Sequence, residues 1–336
     1  MVRNMRAIKR AKRSKILTKL LFLLNVLIWG SAIYLWSQAA DLAPQTYSAL
    51  STLQDIQPSN QGPTTTFNNL AARTLDDINI QINSASAVLV NLTSGEILFE
   101  HRKNESVYPA SVTKIMTILI GLEYAPTEEV IIQADFNALA ANASSMAGFI
   151  EGEVRTLSEV LHGSFLSSGA DATTSLAYHV AGSYQGFVDL MNITAQRLGM
   201  SGTNFVNASG LHHENHFTTA YDTALLLNYA LANPRFREIF EIPAYSFINA
   251  SGYEQIMQSN MFRNLPNRFF NGGEILGGKT GYTTPAGLCL ASTATDGVSE
   301  FALVTFNAST TDEAVLPNIQ DALTLYEYFF ASEEEY

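Results

Sequence analysis

Three short groups of residues hold the chemistry this chain could do: Ser111-Val-Thr-Lys114, Ser168-Gly-Ala170 and Lys279-Thr-Gly281. On a helix, positions i and i+3 share a face, so Lys114 is expected to point at the Ser111 hydroxyl. A serine hydroxyl is a poor nucleophile until a base takes its proton. An ammonium cannot take it; a neutral lysine can. Burial in an apolar helix and a second nearby cation both lower a lysine pKa, and Lys279 is the natural second cation. The chemistry implied is acyl transfer through Ser111, with Lys114 as base. Each group also has a plain structural reading. S-x-x-K arises by chance about once in a chain of this size. Ser168-Gly169 alone is an ordinary turn between helices, and K-T-G alone an ordinary β-turn. Their joint occurrence in this order, with S-x-x-K at a buried helix start and K-T-G entering a strand, sets them apart from chance.

The elements around these groups must bring them together. Ser86–His101 reads as two β-rich runs around a Thr-Ser-Gly turn, hence a hairpin. Ser111–Ala125 is apolar on nearly every face, which predicts a buried helix. Thr156-Leu-Ser-Glu159 is a capping box for a helix to about Leu166, and a second helix runs from Ala170 to Ala181. Phe187, Leu190, Met191, Thr194 and Leu198 fall at helical spacing, closed by Gly199. Thr219–Ala232 reads as another helix, stopped by Asn233-Pro234. Leu276–Thr283 and Ala286–Thr295 are strand-like. Asp296-Gly297 then turns the chain into Val298–Asn307, a strong hairpin signal. A last helix is expected over about Asp312–Ala331. Strands, helices, strands and a helix in that order predict an α+β fold. Both ends of the body complete one antiparallel sheet flanked by helices, with an inserted helical subdomain.

Composition sets the setting. Of 336 residues, 47% are hydrophobic and 15% charged, a globular balance. Residues 1–19 hold eight of the 19 basic side chains and no acid, leaving 11 basic against 31 acidic residues in the rest. So acidic a body excludes nucleic acid as a partner, because phosphates are repelled. Residues 20–36 form an uncharged apolar run with Trp29, Tyr34 and Trp36 as interfacial aromatics. The positive-inside rule then puts residues 1–19 in the cytoplasm and the body outside, attached to the membrane through the N-terminal segment. The run exceeds a usual signal-peptide core, which favours an anchor. Ser37-Gln38-Ala39 offers a cleavage site for the alternative, and either reading exports the body. Residues 37–77 read as a polar tether and 78–331 as the catalytic domain. The single cysteine, Cys289, lies in an apolar run and is expected in the core.

Pro109–Thr117 and Lys279–Leu290 resemble the serine D-alanyl-D-alanine carboxypeptidases, the low-molecular-mass penicillin-binding proteins. Supporting stretches are the hairpin before the serine, Gly210-Leu211, and Thr218–Asp222. The resemblance covers about residues 78–331. It implies a penicillin-binding transpeptidase or β-lactamase-like fold, a peptidoglycan stem peptide ending in D-Ala-D-Ala as substrate, and β-lactams as inhibitors. Ser111 would attack the penultimate D-Ala carbonyl, with Lys114 as base and Ser168 relaying a proton to the leaving amine. Lys279, Thr280 and Gly281 would hold the substrate's terminal carboxylate, and the backbone N–H groups of Ser111 and Tyr282 would form the oxyanion hole. The family often adds a C-terminal β-domain and an amphipathic helix. With 55 residues after Gly281, both are expected to be absent. One departure is plain: the middle motif of the family usually ends in Asn, and here that position is Ala170. Asp171, next along, reads as a helix-start residue pointing elsewhere.

His212-His213-Glu214-Asn215-His216 is dense in metal-ligand types but lacks the H-E-x-x-H phasing of a zinc peptidase, and no metal or cofactor is expected. A β-lactamase needs a second carboxylate to activate the deacylating water, and none is identified between Ser168 and Lys279. A penicillin-binding protein with weak or no turnover is the alternative that Ala170 raises.

Overall fold

The computed structural model describes residues 66–69, 72–141, 144–310 and 315–330. The basic segment 1–19, the apolar run 20–36 and residues 37–65 of the expected tether lie outside them. Among the described residues, no helix is long and apolar enough to cross a membrane.

The hairpin forms as expected, from β1 (Ser86–Asn91) and β2 (Glu96–His101), with Gly95 at positive φ in its turn. A short 3-10 turn, Ala110–Thr113, runs into α1 (Lys114–Tyr124), whose residues are buried from Lys114 to Gly121. A small ribbon of β3 (Glu129–Ile131) and β4 (Val154–Thr156) flanks α2 (Phe136–Ala141). Next comes α3 (Leu157–Phe165), opened by the Thr156/Glu159 capping box. Then follow α4 (Ala170–Ala181), ended by Gly182 in the left-handed region, and α5 (Tyr184–Arg197). Thr219 caps α6 (Ala220–Leu231).

Asn233-Pro234 does end that helix, but it also starts another, α7 (Pro234–Glu241). The Asn233 side chain accepts from the backbone N–H of Arg235 and Phe236, and a proline in the first turn loses no helical bond. The same dipeptide is therefore a stop and a start. Beyond it come a ribbon of β5 (Ala244–Ile248) and β6 (Glu254–Gln258) and a short α8 (Asn260–Asn264). The chain ends in β7 (Phe269–Phe270), β8 (Gly273–Thr283), β9 (Gly287–Thr295), β10 (Glu300–Ala308) and α9 (Pro317–Phe330). The described part of the last helix begins at Pro317 rather than near Asp312.

The main sheet has the order β2-β1-β10-β9-β8-β7, antiparallel at every pairing. β1 pairs β10 from Ser86↔Phe306 to Asn91↔Phe301, so both ends of the body close one sheet. In β9 every residue from Leu288 to Ala294 is buried, because helices cover both faces. α9 packs on β9 and β10, setting Ile319, Ala322, Leu325 and Tyr326 against Leu89, Leu290 and Leu303. Residues 66–69 and 72–77 run beside β2, with Asn68 N–H donating to Gly95 O and Arg73 N–H to Leu98 O. The packed body thus begins before Ile78.

Candidate active site

Ser111 lies in the 3-10 turn, one turn before the buried start of α1. Its turn is pressed between two glycines. A Cβ at Gly210 would stand 1.8 Å from Ala110 O, and a Cβ at Gly281 would stand 2.9 Å from Ser111 N. Only residues without a side chain let the 207–211 loop and β8 approach the Ser111 turn this closely. Ala110 and Ser168 both carry positive φ, 45° and 55°, a strained conformation for non-glycine residues.

The expected groups come together. Lys114 Nζ is 3.2 Å from Ser111 Oγ, Ser168 Oγ is 2.9 Å from Ser111 Oγ, and Lys279 Nζ is 3.3 Å from Ser168 Oγ. One continuous chain of polar contacts, Lys114–Ser111–Ser168–Lys279, therefore joins three segments far apart in sequence. Ser111, Lys114, Ser168, Ala170, Gly210 and Tyr282 line one cleft, together with Ser144, Ser145, Ser209, Leu211 and Thr283. Lys279 and Thr280 are not among these lining residues. Lys279 is 2% exposed, with its Nζ donating to Thr280 O and lying 5.7 Å from the Phe165 ring. Gly281 supplies the close approach to Ser111, and the Tyr282 ring is half exposed at the rim.

Burial decides the charge of both lysines. It holds Lys114 well below the ordinary lysine value, the Lys279 cation pushes the same way, and Asp171 opposes both. Burial alone brings Lys279 down to about 7. The unfolded chain holds these protons up to about pH 10. Between about pH 7 and 10 it therefore binds more protons than the folded protein, and stability rises with pH across that window. Lys279→Met removes one of the two groups. The rise in melting temperature over that window is expected to shrink, which thermal melts at stepped pH would measure. An unchanged rise would mean that Lys279 is not a buried titrating group.

Several supporting residues were not legible in the sequence. With Ala170 unable to hold Lys114, the Ser209 carbonyl accepts from its Nζ. Asn207 Oδ1 fixes that loop by accepting from the N–H groups of Ser209 and Gly210. His216, weighed above as a metal ligand, is spent on structure. Its Nδ1 accepts from Val206 N–H, so Nε2 carries the proton and donates to Thr113 Oγ1. Thr113 in turn donates to Ala110 O, which braces the turn holding Ser111. Burial, reinforced by His213, Lys114 and His212, brings the His216 pKa down to about 3, so the ring is neutral. His212 packs edge-on against Tyr108. Among the described residues, no three His, Cys, Asp or Glu side chains converge to hold a metal.

Asp171 stands in the first turn of α4, as expected, but its carboxylate has a definite task. It accepts from the backbone N–H groups of Ala147, Gly148 and Phe149. Asp171→Ala leaves three donors without their acceptor, so a loss of about 3 kcal/mol in unfolding free energy is expected from urea titration. A change within about 0.5 kcal/mol, the range of a neutral surface substitution, would remove Asp171 as the anchor of that loop.

The family model described as Peptidase S11, D-alanyl-D-alanine carboxypeptidase, matches residues 71–310. The chain is 34% identical over 239 residues to the D-alanyl-D-alanine carboxypeptidase DacF of Bacillus subtilis (strain 168). It is 32% identical over 241 residues to DacC of Escherichia coli (strain K12). Each match covers 68% of this chain and 58% of the relative. The chain thus spans less than two thirds of the length of these curated relatives. Among solved structures, the Streptomyces K15 DD-transpeptidase aligns with a TM-score of 0.67 at 24% identity, over 76% of this chain and all of that one. A D-alanyl-D-alanine carboxypeptidase from Mycobacterium tuberculosis H37Rv aligns with a TM-score of 0.64 at 25% identity, over 84% and 98%.

Proposed function

Because the chain belongs to the Peptidase S11 family of D-alanyl-D-alanine carboxypeptidases, we propose that it removes the terminal D-alanine of peptidoglycan stem peptides through an acyl-enzyme on Ser111. The carrying observation is the contact chain Lys114–Ser111–Ser168–Lys279. Neutral Lys114 takes the Ser111 proton as Oγ attacks the carbonyl carbon of the penultimate D-Ala. Ser168, touching both Ser111 and Lys279, passes a proton to the leaving amine as the C–N bond breaks and free D-alanine departs. Lys279 and Thr280 bind the terminal carboxylate, for which a cation beside a hydroxyl is suited. The backbone N–H groups of Ser111 and Tyr282 stabilise the oxyanion, a contribution on the order of 3 kcal/mol per donor. Water then hydrolyses the ester.

β-Lactams would acylate the same serine. The basic residues of 1–19 and the apolar run at 20–36 support an extracytoplasmic protein attached to the membrane at its N-terminus. Ala170 supports a second reading, a penicillin-binding protein that acylates without turnover. Incubation with a D-Ala-D-Ala peptide and, separately, with labelled penicillin distinguishes them. D-Alanine release establishes the carboxypeptidase, labelling without release establishes the second reading, and neither result would refute both.

A further inference from the structure

The absent amide at position 170 leaves a question of substrate positioning, and the facing loop holds an unused group. Ala170 is 2% exposed and lines the same cleft as Ser111, Lys114 and Ser168. Beside it runs the segment 144–149, fastened to the start of α4. Ala170 N–H donates to Ser145 O at 2.7 Å, and the Asp171 carboxylate takes the three N–H groups of Ala147–Phe149. Gln255 Nε2 donates to Ala147 O, and a Cβ at Gly169 would stand 2.6 Å from Ala147 N. A cleft wall tied at this many points is preorganised.

Ser144 belongs to that wall, its backbone N–H donating to Leu139 O. Its hydroxyl is shielded from solvent and has no hydrogen-bond partner among the described residues. By contrast, the hydroxyls of Ser111, Ser168 and Ser209 in the same cleft all have partners. A buried hydroxyl left unpaired is costly, and a partner supplied by a bound ligand would relieve that cost. One rotation about χ1 re-aims it between staggered wells. A hydroxyl both donates and accepts, which suits an amide.

We propose that Ser144 supplies the hydrogen bond that Ala170 cannot, holding the amide of the acyl donor on the N-terminal side of the D-Ala-D-Ala bond. This rests on the function proposed above, with Ser144 as a positioning residue that leaves the nucleophile's chemistry to Ser111 and Lys114. The test compares the intact full-length protein with Ser144→Ala, Ser144→Thr and Ser145→Ala. The readouts are D-alanine release from an N-acylated D-Ala-D-Ala peptide and acylation by two penicillins. Benzylpenicillin carries an acylamido side chain, and 6-aminopenicillanic acid has the same ring without that amide.

For Ser144→Ala, kcat/KM for the peptide and the acylation rate with benzylpenicillin are expected to fall about tenfold, the effect of one lost hydrogen bond. Acylation by 6-aminopenicillanic acid stays unchanged, and Ser144→Thr retains most of the activity. An equal fall with both penicillins would mean a merely structural role and overturn the proposal. No fall at all, or a fall only in Ser145→Ala, would overturn it as well. If the intact protein releases no D-alanine yet takes up penicillin, the carboxypeptidase reading fails. The difference between the two penicillins still decides the role of Ser144.

Discussion

Ser111→Ala is expected to release no D-alanine above background from a D-Ala-D-Ala peptide and to take up no labelled penicillin. The loss should be about 10⁴-fold or more, the scale seen when a nucleophile acting within a catalytic unit is removed. The reason is local. Ser111 Oγ is the atom through which Lys114 on one side and Ser168 on the other communicate. Ser168 cannot take over, because it has no Lys114 beside it and its own neighbour is Lys279, which is engaged with Thr280 O. The fold should survive, because Lys114 keeps the Ser209 carbonyl and His216 still braces the turn through Thr113. Thermal stability within about 1 kcal/mol of the parent protein is expected for so small a change. Release that persisted in a folded Ser111→Ala protein would move the nucleophile elsewhere.

Lys114→Met is expected to cost about 10³-fold in acylation, the contribution of a positioned general base. Here activity and stability should part. A buried lysine that must lose its proton to be accommodated is a burden on the fold, and methionine of similar length fills the site without that cost. The variant should melt at an equal or higher temperature than the parent, an instance of stability traded for function. The pH profile adds a directional check. Only neutral Lys114 can accept the proton, so acylation rises as pH climbs through its pKa. The Lys279 cation is part of what holds that pKa down. Lys279→Met therefore raises the Lys114 pKa and moves the acidic limb of kcat to higher pH. A limb that stayed in place would separate the two lysines and leave burial as the whole cause.

Much of this was legible in the chain because its physics is local. The Ser111–Lys114 pair follows from one helical turn, and the Thr156/Glu159 box and Gly182 mark helix ends through bonds a few residues long. The hairpin at Asp296-Gly297 is likewise a matter of turn chemistry. The ribbons β3–β4 and β5–β6 are not legible in the sequence, because strands of three to five residues carry too little alternation to stand out. α7 is hidden in the sequence because Asn233-Pro234 is equally good as a stop signal and as a helix start.

Tertiary structure alone decided the rest of the site. Ser168 meets Ser111 across 57 positions of sequence, Lys279 meets Ser168 across 111, and the Ser209 carbonyl meets Lys114 across 95. No spacing rule reaches that far, because such contacts depend on how helices and sheet pack rather than on any repeat. Asp171 shows the difference most plainly. Its place in the first turn of a helix could be read from its neighbours, whereas its three bonds to Ala147–Phe149 exist only once α4 is packed beside that loop. By itself, the sequence determined that a serine hydroxyl and a lysine stand one helical turn apart. The fold decided whether that lysine is dry enough to be neutral, because burial is a property of the assembled core and not of the residue.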